Sequence, residues 1–222
     1  VEVLTEQQRT HGLVHREERA MLASEQSPED YFTATLSGKK RKELRRQLTR
    51  LSEIGKVGFK REYGADGLEG WLDAFLTLEQ AGWKGAAGSA LASREDTQAL
   101  FCESLAGAAA HGVLERLALM LDGQPVAMLA NFLTPPGAFS YKTAFDESYA
   151  RFSPGVLLQC ENLLLLDQAD IAWTDSCASA DHPMIDHIWR ERRAIGRLST
   201  GIGGKLRRAA FMDHRIDVQP GL

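Results

Sequence analysis

The sequence predicts a single mixed α/β domain with a mostly antiparallel central sheet flanked by helices. Three observations carry that reading. The hydrophobic period changes from 3.6 to 2 near residue 114, marking a passage from helices to strands. Asp122-Gly123 sits between two apolar runs, as a tight hairpin requires. Helical and strand patterns also alternate within one span instead of segregating, which argues for one layered unit.

The elements follow in order. Residues 1–35, with "REERAMLASE", look helical in patches but carry few apolar residues, and are expected to be a helical connector. In "LSGKKRKELRRQLTRLSEIG", Leu44, Leu48 and Leu51 recur at helical spacing, Gly55 is placed to end the helix, and the opposite face is basic. "KVGFKREY" (56–63) alternates as a short strand. Leu68, Trp71, Leu72, Phe75, Leu76 and Leu78 form the apolar stripe of a helix that stops at Gly82. A glycine-rich loop, "WKGAAGSALAS", leads to a second helix running to Gly112, with Ser93 and Asp96 spaced as a capping box. Three strands follow: "LERLALML" (114–121), "PVAMLANFL" (125–133), apolar on both faces as a central strand is, and "AFSYKTAF" (138–145). A helix over 154–168, a strand "IAWTDSCA" (171–178) and a helix "MIDHIWRERR" (184–193) complete a domain expected to span residues 36–200, with 201–222 as a C-terminal extension.

Composition narrows the function classes. At 222 residues and 44% hydrophobic content the chain has enough apolar material for a sizeable core. A formal net charge of −4 does not advertise binding to nucleic acid or an anionic membrane. No apolar run approaches the roughly 20 residues of a membrane span. Three cysteines without CxxC spacing, each in an apolar setting, read as reduced core residues and suit a cytoplasmic protein. Cys177, His182 and His187 do not follow a standard zinc spacing, so no metal is expected. No G-x-S-x-G elbow marks a serine hydrolase.

The chemistry-bearing stretch is Ser153-Pro154-Gly155. Ser153 reads as an N-cap, Pro154 as the first helical residue, and Gly155 as a place where a ligand can approach the backbone. Free N–H groups at Gly155 and Val156, with the positive end of the helix dipole, make an anion site that Arg151 can support. Ser-Pro is equally the ordinary start of a buried helix, given Leu157, Leu158, Leu164 and Leu165.

The element order, together with "FLTLEQAGWKGAAGSAL" (75–91), "FSYKTAFDESYARFSPGVLL" (139–158) and "DSCASADHPMIDHIWRER" (175–192), resembles the CelD/BcsL-like branch of the GNAT acyltransferase superfamily, and "KKRKELRRQLTRLSEIGKVGF" (39–59) resembles the segment leading into it. The resemblance covers about residues 36–195. It implies a GNAT-like fold in which the loop before Pro154 holds the pyrophosphate of acetyl-CoA or another acyl-CoA, with backbone amides of the strand 138–145 stabilising the oxyanion. The glycine-rich signature of the superfamily is reduced here to Arg151-Phe-Ser-Pro-Gly155, with a single glycine. The branch is similar to the FemABX aminoacyl transferases. That likeness implies that residues 1–35 are instead the tail of a preceding lobe. It leaves a charged-tRNA-dependent transferase as an alternative, with the basic helix 39–50 as its RNA contact, and a non-catalytic binding lobe as another.

Acyl transfer needs a base, an oxyanion donor and an acid for the leaving thiolate. Glu79, Asp146 and Asp175 are candidate bases. Asp146, at the end of a strand beside the proposed cradle, and Asp175, near the carboxyl end of the next, are each equally explained as a loop cap or edge charge, and Glu79 as a surface helix carboxylate. Lys142, expected by strand parity to share a face with Ser140 and Ala144, either snorkels to solvent or lines the cleft. Tyr141 is a candidate acid or a core tyrosine. Glu79, Trp83 and Lys84 stand where an acceptor site is expected, the acceptor being a small molecule such as a sugar or cell-envelope precursor.

Overall fold

The computed structural model describes residues 2–7 and 9–202. Strands β1 (His11–Leu22), β2 (Val57–Tyr63), β3 (Leu114–Leu121), β4 (Gln124–Thr134), β5 (Gly137–Phe145), β6 (Trp173–Asp175) and β7 (Glu191–Thr200) form one sheet in the order β2-β3-β4-β5-β6-β1-β7. Every neighbouring pair is antiparallel except β5 and β6. The helices are α1 (Glu2–Glu6), α2 (Pro28–Thr35), α3 (Gly38–Ser52), α4 (Leu68–Ala81), α5 (Trp83–Ala86), α6 (Glu95–Ala110) and α7 (Pro154–Glu161). The mixed α/β fold with a mostly antiparallel sheet is therefore the one the sequence predicts. Among the described residues no helix is long and apolar enough to cross a membrane.

Alternation along β3 and β4 sorts side chains between two layers. Leu117, Leu119, Leu121, Ala127 and Leu129 pack with Leu44 and Leu51 of α3 and with Leu157 and Leu158 of α7. Leu114, Ala118, Met128 and Ala130 pack against Trp71 and Phe75 of α4 and Phe101 and Leu105 of α6 on the other face. Both faces of these strands are covered, hence their apolar runs. The hairpin at Asp122-Gly123 forms as expected, with both residues at positive φ.

Several local expectations are corrected. Residues 11–22 are not a helical connector: they form β1, which lies between β6 and β7 in the main sheet. Its charged middle pairs with the equally charged β7, so neither strand shows the apolar alternation by which strands are read. The expected helix at 184–193 is one 3-10 turn, Ile185–His187, followed by β7. Ile185, Ile188 and Trp189 do share a face, as the periodicity indicates, but they cap the core in a single turn. α7 ends at Glu161 and continues as a 3-10 segment, Asn162–Asp167. Ser93 does not cap α6, whose N-cap is Arg94 without a side-chain bond; Asp96 pairs with Arg94 instead. Of the expected C-terminal extension, residues 203–222 lie outside the described residues.

β5 and β6 run parallel and pair only over Gly137–Phe139 and Trp173–Asp175. A side chain at Gly137 would put its Cβ 2.2 Å from the Trp173 ring, so only glycine permits this approach. Asp175 is fully buried and clamps the neighbouring strands. Its Oδ1 lies 2.7 Å from Arg19 Nε of β1, its Oδ2 lies 3.2 Å from Arg193 Nη1 of β7, and Oδ1 also accepts from the Cys177 backbone N–H at 2.8 Å. Two guanidinium groups thus converge on one carboxylate in a buried setting, where deleting a single partner strands the others. Tyr31 of α2 adds a second tie. Its hydroxyl donates to Glu191 at 2.7 Å and accepts from Arg190 N–H at 2.9 Å, and burial holds its pKa far above the usual tyrosine value.

Asp175→Ala is expected to destabilise the fold by about 3 kcal/mol, because Arg19 and Arg193 then face each other without a counter-charge. Urea unfolding of the wild type and the variant measures this; a loss within about 0.5 kcal/mol would show that the clamp is not structural.

Candidate functional site

Beyond Phe139 and Asp175 the two parallel strands part, and the gap is a cleft of about 600 Å³. One wall is β5, through residues 140–143 and 145; the floor is the start of α7, through residues 153–156 and Gln159; the far wall is residues 176–178 and 182–185; Trp83 and Lys84 stand at the rim. Along this stretch β5 has no strand partner on its β6 side among the described residues. Its outward N–H groups therefore face the cleft and need a partner from water or ligand.

The α7 N-terminus supplies more donors. Leu157 N–H closes on the Ser153 carbonyl at 3.0 Å, whereas Gly155 and Val156 N–H precede the first intrahelical acceptor. Pro154 occupies the first helical position, as expected. Ser153 does not cap in the expected way. It is in the left-handed region (φ 52°, ψ 51°), and its side chain makes no cap bond, leaving the hydroxyl on the cleft wall. The preceding 3-10 turn, Glu147–Phe152, ends at this residue, and the left-handed kink lets α7 start at once in a new direction. Gly155 has no positive φ, so the backbone does not demand glycine there. A Cβ at 155 would sit 3.3 Å from the Phe145 ring and 3.4 Å from the Met184 sulfur, both cleft-lining groups. Space, then, is what this glycine provides.

Lys142 and Tyr141 lie in the cleft, but not by the parity the sequence implies. The pairing with β4 jumps from Ala130–Lys142 to Asn131–Ser140, leaving Tyr141 as a bulge residue. Tyr141 consequently joins Ala144 on the α6 side, its ring centroid 4.9 Å from Phe132 and 6.2 Å from Phe101. Ser140 and Thr143 turn toward α7, where they meet Asn162 and Gln159. Burial, reinforced by nearby Lys84, pulls the Lys142 pKa below its usual value, against the opposing pull of Glu79. Lys142 makes no hydrogen bond or ion pair among the described residues. Burial raises the Tyr141 pKa, which keeps its phenol protonated.

Other candidates have different work. Glu79 is buried, with Oε1 accepting from Lys84 Nζ at 2.8 Å and Oε2 from Leu91 N–H at 2.8 Å, so it ties down the loop that carries Trp83 and Lys84. Asp146 caps the 3-10 turn through Ser148 N–H and Oγ. Asp175 is the buried clamp described above. Arg151 points away from the cleft, its guanidinium 4.6 Å from the Phe152 ring, beside Arg46 and Arg50 of α3. Sequence reasoning did not single out Gln159, nor Cys177 and His182 as cleft residues. Cys177 has φ 53° and a thiol that burial pushes up to about 11, and His182 Nδ1 accepts weakly from Met184 N–H at 3.4 Å. Their loop is irregular, and no periodicity could have placed it. Among the described residues no group of three or more His, Cys, Asp or Glu side chains is arranged to hold a metal ion.

A second cavity of about 290 Å³ lies between α2, α3 and α7, lined by Phe32, Leu44, Leu48, Phe59, Leu157 and Leu164. Glu29, Arg45 and Glu161 also line it, but the β5–β6 cleft is larger and is the better candidate for chemistry.

Comparison with known proteins bears on the family and the fold. Residues 38–181 match the family model described as an acetyltransferase (GNAT) domain, and none of the curated proteins matches the sequence. FemX is similar in structure, with a TM-score of 0.61 at 9% identity over 97% of this chain and 70% of that one. The C-terminal domain of a lysylphosphatidylglycerol synthetase from Agrobacterium fabrum gives a TM-score of 0.55 at 13% identity over 100% and 70% of the two chains. L-PGS from Bacillus licheniformis gives 0.54 at 13% identity over 99% and 70%. These likenesses concern the fold alone. The family match spans more than half of the chain and includes both of the parting strands: the chain belongs to the GNAT acetyltransferase domain family.

Proposed function

We propose that the chain is an acyl-CoA-dependent N- or O-acyltransferase, with acetyl-CoA as donor, of the CelD/BcsL-like branch, acting on a small-molecule amine or hydroxyl. The observation that carries this reading is the α7 N-terminus in the cleft, where the N–H groups of Gly155 and Val156, unpaired among the described residues, sit at a glycine kept for space. That combination suits a diphosphate. The open edge of β5 then lies along the path of the thioester, with its backbone N–H groups able to take the oxyanion. Lys142 is the proposed proton acceptor for the incoming nucleophile: it lines the cleft without a hydrogen bond or ion pair among the described residues, and burial lowers its pKa. Tyr141 is the proposed acid for the departing thiolate. Trp83 and Lys84, at the rim, would meet the acceptor. Asp146 and Asp175 are committed to structural bonds and are assigned no proton transfer.

A second reading, an aminoacyl transferase using charged tRNA, is favoured by one feature. Lys39, Lys40, Lys42, Arg45, Arg46 and Arg50 expose a basic face on α3, which RNA phosphates would neutralise.

Calorimetric titration separates these readings. The wild type is expected to bind acetyl-CoA saturably, and Gly155→Glu to weaken binding more than about tenfold by placing bulk and negative charge at the cradle. Binding of tRNA but not CoA by the folded wild type would favour the second reading, and equal affinities for wild type and variant would remove the cradle from the account.

Lys142 gives a pH-dependent prediction. Its folded-state pKa is lowered, so the folded chain binds this proton less tightly than the unfolded chain does. The penalty is full below the folded pKa and fades as pH rises toward the usual lysine value. Lys142→Met is therefore expected to raise Tm at pH 7 to 8, with the gain shrinking as pH approaches about 10. A variant with lower Tm at pH 7 would contradict this placement of the lysine.

A further inference from the structure

A chain of buried polar side chains runs through the middle of the domain and ends at the cleft. It begins at Glu115 of β3, which is fully buried. Glu115 Oε1 accepts from Arg61 Nη1 at 2.6 Å and from Gln168 Nε2 at 3.2 Å, and Oε2 accepts from Asn131 Nδ2 at 2.6 Å. The same Nδ2 donates to Asn162 Oδ1 at 2.7 Å. Asn162 Nδ2 in turn reaches Gln159 Oε1 at 3.4 Å and Ser140 Oγ at 3.5 Å, and Gln159 Nε2 reaches Thr143 Oγ1 at 3.3 Å. Asn131 and Asn162 are fully buried, and Gln159 is 4% exposed.

The carboxylate gives this chain a direction. An ionised carboxylate only accepts, so the Asn131 atom facing it must be the amide nitrogen. The second hydrogen of that nitrogen fixes Asn162 with its oxygen inward and its nitrogen toward Gln159. Gln159 must then present its oxygen to Asn162 and its nitrogen to Thr143. Each amide is thereby held in one of its two flips, and the Thr143 hydroxyl is made an acceptor on its protein side. Its hydrogen is left for the cleft, where Thr143 makes no further hydrogen bond among the described residues.

We propose that Thr143 is a specificity-determining residue, a hydroxyl donor whose polarity is preset by the Glu115–Asn131–Asn162–Gln159 chain. It selects a ligand that places a carbonyl oxygen beside β5. The inference deepens the proposed function, resting on the cleft as the ligand site. A network of four buried side chains with aligned polarity costs conformational entropy and desolvation, and a dry leucine core would fill the same volume. Specifying a donor at one point of the cleft is a function such a core cannot perform.

The test is an NMR titration of folded protein with two probes, acetyl-CoA and N-methylacetamide. The variants are Thr143→Val, which removes the hydroxyl at constant shape, Thr143→Ser, which keeps it, and Gln159→Glu. The last keeps the Asn162 contact but turns the Thr143 hydroxyl inward, toward the new carboxylate. Thr143→Val and Gln159→Glu are expected to weaken acetyl-CoA by about fivefold or more, and Thr143→Ser to stay within about twofold. N-methylacetamide is expected to shift residues 140–143 and 159 in the wild type but not in Thr143→Val. Saturable, Thr143-dependent shifts with N-methylacetamide but no acetyl-CoA binding would sink the donor assignment and leave this inference standing. Unchanged affinities in Thr143→Val and Gln159→Glu would overturn the inference alone, and a wild type that binds neither probe would overturn both.

Discussion

The site depends on one short parallel pairing. β5 and β6 hold each other for three residues, where Gly137 lets the Trp173 ring come close, and then separate. Parallel pairing that stops so early leaves backbone groups of β5 unclaimed, and the molecule supports the opening from both sides. Asp175 fastens β6 to β1 and β7 through Arg19 and Arg193, and the bulge at Tyr141 bends β5 against β4. Without the clamp β6 has a three-residue ladder to β5 and a two-residue ladder to β1 to keep it in place.

The bulge has a second consequence. By breaking the alternation it puts Tyr141 on the aromatic cluster of α6 and turns Ser140 and Thr143 toward α7. Three kinds of group thus meet in one cleft. They are the free N–H groups at the α7 start, a lysine whose charge is disfavoured by burial, and hydroxyls whose orientation is set from the core. In the proposed reading, charge binding, proton transfer and carbonyl recognition are separated along β5 and α7.

Much of the architecture was legible in the sequence because it rests on apolar alternation. β3, β4 and β5, the hairpin at Asp122-Gly123, and helices α3, α4 and α6 follow from residue spacing. β1 and β7 were not legible, since their pairing is carried by charged residues such as Arg19 and Arg193 whose partner, Asp175, is more than a hundred residues from one of them. The site was half legible. Pro154 and Gly155 announce a helix start with room for a ligand, and Lys142 stands out as a cation among apolar neighbours. Ser153's left-handed backbone, the bulge at Tyr141 and the turn of Arg151 away from the cleft are tertiary decisions with no local signature. The Glu115–Gln159 chain was equally hidden, since its members come from β3, β4, α7 and the segment after it.

A crystal structure of the chain with CoA tests the central claim most directly. The account predicts the diphosphate on the N–H groups of Gly155 and Val156, with the thiol end between β5 and β6 near Tyr141 and Lys142. CoA bound elsewhere, for instance in the apolar trough between α2, α3 and α7, with the β5–β6 cleft empty, would contradict it.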